Sequence, residues 1–245
     1  MSNLSRRKLI TTGLAATAGA SGLAVAARLA DRYGLIPPDH GGVYGAGTTL
    51  TYASHRLLTR HSLAREFAPS QISKAPFAKL RPFKNEAFSR MRDSGFVDWR
   101  VEVDGMVARP SSISLAELRS FPARSQITQL ACEEGWSFIA EWTGVPLSHV
   151  LSAVGTVPEA RYVVYYSIQP NWWHSIDMAD ALHPQTLLVH GMNGAELPIG
   201  HGGPLRLRIP RQLGYKSVKF ITRLTITDSL ERFKKGGNYS WYAGI

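Results

Sequence analysis

The sequence holds one cysteine in 245 residues, Cys132. That scarcity excludes an internal disulfide and any paired Cys-x-x-Cys redox or zinc motif. Equally absent are a phosphate loop ending in Gly-Lys-Ser/Thr, a Gly-x-Ser-x-Gly nucleophile turn and a His-Glu-x-x-His zinc helix. The eight histidines are dispersed; His183 and His190 are seven apart, and no pair has the His-x-x-x-His spacing of a helical zinc site. A nucleophilic Cys132 with His149 or His201 as its base finds no support in the spacing, because such partners meet in space rather than in sequence. Internal repeats and low-complexity tracts are missing. At 44% hydrophobic residues the chain is not disordered, and its length suits one large domain or two small ones.

What is present begins with charge. The formal net charge of +10 favours anionic partners: phosphates, nucleic acid, an acidic membrane surface or an anionic cofactor. Part of that excess lies in Arg6, Arg7 and Lys8, ahead of an uncharged run from Leu9 to Ala27. The run is long enough to cross a bilayer, yet it is mostly Ala, Gly and Thr, too weakly apolar for a strong membrane helix. Twin arginines before a mild apolar stretch form the address of the twin-arginine export route. The small residues of "AVAA" permit cleavage near Ala26 or Ala27. Residues 1–27 are therefore expected to be a twin-arginine signal segment, or an N-terminal membrane anchor where it is retained, and the chain is expected in the periplasm. Because that route carries folded proteins, it suits a protein that acquires a cofactor before export.

Residues 28–57 read as a linker and irregular extension, rich in Gly and Pro at first and without sustained period. From Trp99 the pattern sharpens. "WRVEV" alternates, Asp104-Gly105 supplies a turn and "MVARP" returns, which predicts a β-hairpin. Ser114 and Glu117 make a capping box for the short helix "SLAEL". "RSQITQLA" reads as a strand that delivers Cys132 to its end, a helix follows Pro146, and "RYVVYYS" reads as a buried strand. "TLLVHGMNGAELP" predicts strand, Asn-Gly turn, strand; "LRLRIP" and "VKFITRLTIT" are again strand-like. In the former, Arg206 and Arg208 point to one face while Leu205, Leu207 and Ile209 point to the other. The sum is an α+β fold dominated by mixed β-sheet, with helices too few for a doubly wound architecture.

In an oxidising compartment a chain pairs its cysteines or does without them. Cys132 is then either an inert buried side chain or a reactive or ligating thiol. The stretches "CEEGWSFIAEWTGVPLSHVL", "SIDMADALHPQTLLVHGMNG" and "GHGGPLRLRIPRQLGYKSVKFI", in that order, together resemble the molybdopterin-binding domain of the sulfite oxidase superfamily. They are most similar to its exported bacterial branch, which includes the catalytic subunit of the periplasmic protein-methionine-sulfoxide reductase. The resemblance covers residues 58–245, taken as the oxidoreductase domain, and is strongest between Trp99 and Asp228.

The resemblance implies that Cys132 is the thiolate ligand of one molybdenum, which also carries a single molybdopterin. A soft, deprotonated thiolate suits a transition metal, which gives a lone cysteine a function. It also implies cofactor contacts from Arg206, from the turn Ser217, Val218 and Lys219, from His201 and from Ser167. A terminal phosphate and a hydrogen-bonding pterin match a planar guanidinium and exposed amides. Trp136, Trp142, Trp172, Trp173 and Tyr215 are expected to line or support the pocket, with core packing favoured for Trp142. Asp177 is a helix cap or a proton-relay candidate. Glu133 and Glu134 are read as capping or turning the loop and facing solvent, not as ligands.

Sulfite oxidases carry arginine just after the ligating cysteine, whereas this chain reads "EEGWS". Sulfite is thus a poor electrostatic match, and an uncharged sulfoxide, free or protein-bound, a better one. The resemblance further implies oxygen-atom transfer fed by a membrane or periplasmic electron-transfer protein, a monomer, and no role for nucleic acid. Sulfite dehydrogenation and non-catalytic binding of an anionic ligand stay open beside it.

Overall fold

Two five-stranded sheets share one core in the computed structural model, which describes residues 24–31, 33–41, 45–78, 85–233 and 239–245. The twin-arginine pair and most of the uncharged run lie outside the described residues. In chain order the elements are helices α1 (24–31), α2 (Gly45–Leu58) and α3 (Glu86–Asp93), strands β1 (Arg100–Gly105) and β2 (Ser111–Ser114), then α4 (Leu115–Ser120). There follow β3 (Arg124–Ala131), β4 (Ser137–Pro146), α5 (Leu147–Val154), β5 (Tyr162–Ser167), β6 (Trp173–Asp177) and α6 (Met178–Ala181). The last third holds β7 (Leu187–Met192), β8 (Ala195–Glu196), β9 (Arg206–Arg208) and β10 (Ile221–Thr227).

The first sheet runs β2-β1-β10-β5-β6, and its β1/β10 pair is parallel while the rest are antiparallel. The second runs β3-β4-β7-β8, with β9 also on β7. This is the mixed, sheet-rich α+β architecture that the sequence predicts. Period-two alternation explains the layers. Val163 and Tyr165 of β5 face the shared core with Leu188, Leu205 and Leu207 of the second sheet. Tyr162 and Val164 point the other way, onto Tyr52, Trp241 and Tyr242. Leu187 and Val189 of β7 join Leu130, Phe138 and Trp142 in a smaller cluster on the far face of the second sheet.

Several local readings change. An antiparallel pair forms, but Asp104 and Gly105 belong to β1 and pair with β10 instead of making the turn, "MVARP" makes the connection, and the return strand is Ser111–Ser114. Residues read as a linker over 28–57 include α2, which buries Tyr52 and Arg56 against the body of the domain. The Asn-Gly turn between β7 and β8 and the Ser114/Glu117 capping box are both present. Among the described residues no helix is long and apolar enough to cross a membrane.

Candidate active site

Cys132 sits where β3 turns into β4. The last cross-strand pair is Ala131 with Ser137, after which the Cys132 amide donates to the Trp136 carbonyl at 2.9 Å and the Gly135 amide to the Cys132 carbonyl at 3.1 Å. The tight loop needs a residue with positive φ, and Gly135 supplies it at +88°. Glu133 and Glu134 occupy the middle of this turn, as expected, but instead of simply facing solvent both line the cavity into which it opens. Sγ of Cys132 lies 3.2 Å from a Glu133 carboxylate oxygen, and Glu134 accepts from the Trp136 indole at 3.1 Å.

The cavity, about 310 Å³, is lined also by residues of the segment 199–219. His201, Arg206, Ser217 and Lys219 all line it. Arg206 and Arg208 do share a face of β9, and both are buried beside the Trp142 ring. Arg206 donates to the carbonyls of His201 and Ser217, both at 2.7 Å, so it ties together the two loops beside the cavity. Its Nε has no partner among the described residues. Lys219 donates to the Gly200 carbonyl at 2.6 Å. Two close approaches fix these loops. A Cβ at Gly214 would lie 3.0 Å from the Leu130 side chain, and at Gly202, which has φ +106°, 2.8 Å from that of Lys219.

Electrostatics divide the cavity. On the inner wall burial pulls the Arg206 guanidinium down to about 9, still cationic at neutral pH. Burial, then Arg206, brings Lys219 to about 7. Burial and both cations hold His201 at about 4, so its imidazole is neutral. At the turn, burial foremost and the Glu133 carboxylate push the Cys132 thiol up to about 11. A metal cation at Sγ reverses that balance, because coordination removes the proton.

The predicted residues divide as follows. The structure brings Cys132, His201, Arg206, Ser217 and Lys219 to one cavity, with Trp136, Trp172 and Tyr215 around them. Val218 points into the shared core and does not line it. Ser167 also stays out: its hydroxyl accepts from the Gln169 amide at 3.1 Å, and the wall is made by Gln169, Pro170 and Trp172 beyond it. Asp177 is not brought to the cavity. It caps α6 by accepting from the Asp180 amide at 2.9 Å and pairs with Arg56 at 2.7 Å. That position gives it a structural role and leaves the proton-relay reading without a geometric basis. Trp173 lies on the other side of the first sheet, and Trp142 is in the core. Sequence reasoning missed Phe77 and Tyr239, which line the mouth. Single aromatics in irregular segments carry no period that would have marked them.

The donor set fits a molybdenum-pterin group. Among the described residues no trio of His, Cys, Asp or Glu converges on a metal, so a metal held by Cys132 takes its remaining ligands from a bound group. The inner wall offers such a group a neutral imidazole, a hydroxyl and two cations, one with an unsatisfied buried N–H.

Residues 90–233 match the family model for the oxidoreductase molybdopterin binding domain. The chain is 38% identical over 184 residues to YedZ1 of Azospira oryzae, whose name provisionally makes it a protein-methionine-sulfoxide reductase subunit; the match covers 73% of this chain and 70% of that one. It is 35% identical over 147 residues to the protein-methionine-sulfoxide reductase catalytic subunit MsrP of Xanthomonas campestris, covering 54% of this chain and 46% of the relative. Among solved structures, the sulfane dehydrogenase SoxCD from Paracoccus pantotrophus superposes with a TM-score of 0.52 at 26% identity, over 54% of this chain and 39% of that one. The chain thus spans under half the length of MsrP and of SoxCD.

Proposed function

Since this chain belongs to the family of oxidoreductase molybdopterin-binding domains, and is by that membership a molybdopterin-dependent oxidoreductase, we propose that it reduces a sulfoxide by oxygen-atom transfer. The single observation that carries the reading is that the lone thiol, the buried cation Arg206 and the half-buried Lys219 line one cavity. In this reading Cys132 binds the metal as thiolate. Arg206, Lys219, Ser217 and His201 hold the anionic and hydrogen-bonding parts of the pterin. Bound there, the molybdenum centre supplies two-electron oxygen-atom exchange, chemistry that side chains lack.

The chain's own residues set what reaches it. Trp136, Trp172 and Tyr215 exclude water and give an apolar face to a thioether-like substrate. Glu133 and Glu134 disfavour a dianion such as sulfite, so an uncharged sulfoxide is admitted in preference. The sulfoxide oxygen leaves as water with two electrons and two protons. The electrons are proposed to come from a separate membrane or periplasmic protein, and the chain to work in the periplasm after twin-arginine export. Its similarity to two reductase-named relatives supports the reductive direction.

The test is a dye assay with the molybdenum-loaded protein. Reduced viologen should be oxidised when a methyl sulfoxide is added, and sulfite should not reduce an oxidised dye. Sulfite-dependent dye reduction, with no response to sulfoxides, would reverse the proposed direction.

A further inference from the structure

Behind Arg206 lies a second guanidinium that does not line the cavity. Arg208 is 0% exposed. Its Nη2 donates to the Gln129 carbonyl and, at 3.4 Å, to the Thr128 hydroxyl. Its Nε and Nη1 meet no partner among the described residues. Cζ of Arg208 is 5.5 Å from the centroid of the Trp142 ring, and Cζ of Arg206 is 5.2 Å from the same centroid. No carboxylate among the described residues pairs with either arginine, and the charge of Arg206 bears on Arg208 unfavourably.

Two like charges on one buried indole are an expensive way to fill space. Replacing such a cation by an apolar side chain of similar volume is often neutral or stabilising. Ring contact with Trp142 recovers only part of the cost. The placement of the charge gives it a use. Gln129 lies three residues before Cys132 on β3, and the Trp142 indole donates to the Thr128 carbonyl at 3.2 Å on the same strand. Arg206 in turn holds the loops that carry His201 and Ser217. The two arginines and the tryptophan therefore connect the thiol's strand to those loops.

We propose that Arg208 is a positioning residue for an anion bound in this cavity: it fixes the strand ending at Cys132 through the Gln129 carbonyl, and with Arg206 forms a buried positive field that the anion offsets. The proposal rests on the cofactor reading above for the identity of that anion, the pterin's phosphate. A general test uses a simpler probe, inorganic pyrophosphate.

Pyrophosphate affinity is measured by titration calorimetry at low ionic strength on cofactor-free wild type, Arg208→Met and Arg208→Lys, with thermal unfolding followed in parallel. Arg206→Met, by abolishing the signal, identifies the cavity as the site. Arg208→Met should lose roughly tenfold in affinity, and Arg208→Lys should regain it to within about threefold, the residue of a lost planar fork. Without the anion, Arg208→Met should be as stable as wild type or more so. The proposal fails if Arg208→Met binds pyrophosphate like wild type, if Arg208→Lys does not rescue, if Arg208→Met is unstable, or if wild type shows no Arg206-dependent binding. Wild type purified without molybdenum would overturn the cofactor reading alone, since the pyrophosphate comparison does not use the metal.

Discussion

Among single residues, Lys219 makes the most direct pH prediction. Burial and Arg206 bring its ammonium to about 7, so it is charged below neutrality and increasingly neutral above. An anion in the cavity favours the charged form and is favoured by it. For the cofactor-free protein, sulfate affinity should therefore fall as pH rises between about 6 and 8, a range in which sulfate itself does not titrate. Lys219→Met should flatten that profile. A profile unchanged in the variant would remove Lys219 from the anion site. His201 should not contribute to the slope, because its neutral form persists down to about pH 4. At this scale the sequence was informative where chemistry was concentrated: the lone cysteine and the basic stretch around Arg206 were legible. Asp177 was not, because its partner Arg56 is 121 positions away and nothing local announces a buried ion pair.

At the scale of elements, α2 locks onto the first sheet through that pair. Arg56 donates to Asp177 at 2.7 Å and to Asp180 at 2.6 Å, and Tyr52 adds a 2.6 Å bond to Asp177. The guanidinium also lies 5.0 Å from the Tyr52 ring centroid and 4.9 Å from that of Tyr242. Removing one member of a buried pair leaves uncompensated charge, so Arg56→Ala should cost about 3–5 kcal/mol. That corresponds to a melting temperature lower by roughly 6–20 °C for a chain of this size. Calorimetry checks it, and an unchanged transition would show that α2 does not contribute to the cooperative fold.

The same helix shows why the sequence hid it. It buries an arginine and a tyrosine while Leu50, Leu57 and Leu58 are exposed, the inverse of the pattern that periodicity detects. β6 escaped for a related reason: His174, Ser175 and Asp177 are all buried in it, so polarity masked a strand. The strands β3, β5, β7 and β10 were legible because their alternation or continuous apolar character matches their burial.

For the whole molecule, the two sheets matter because their edges bring distant segments to one cavity. β3 and its turn provide the thiol, and β9 with the loops on either side of it provides the cationic wall. The fold class could be read from strand-rich periodicity, and the assembly of the site from three sequence blocks in the right order. The aromatic mouth could not, because it depends on how irregular segments lie across the domain. The formal charge of +10 is in keeping with a protein that takes up an anionic cofactor.

Everything proposed for the site depends on Cys132 holding molybdenum in this cavity. Metal and pterin content should be measured in protein purified from a host that makes the cofactor, for wild type and for Cys132→Ala. About one molybdenum and one pterin per chain are expected in wild type, with a Mo(V) paramagnetic signal altered or abolished in the variant. Wild type free of both metal and pterin, or a variant with an identical signal, would contradict it.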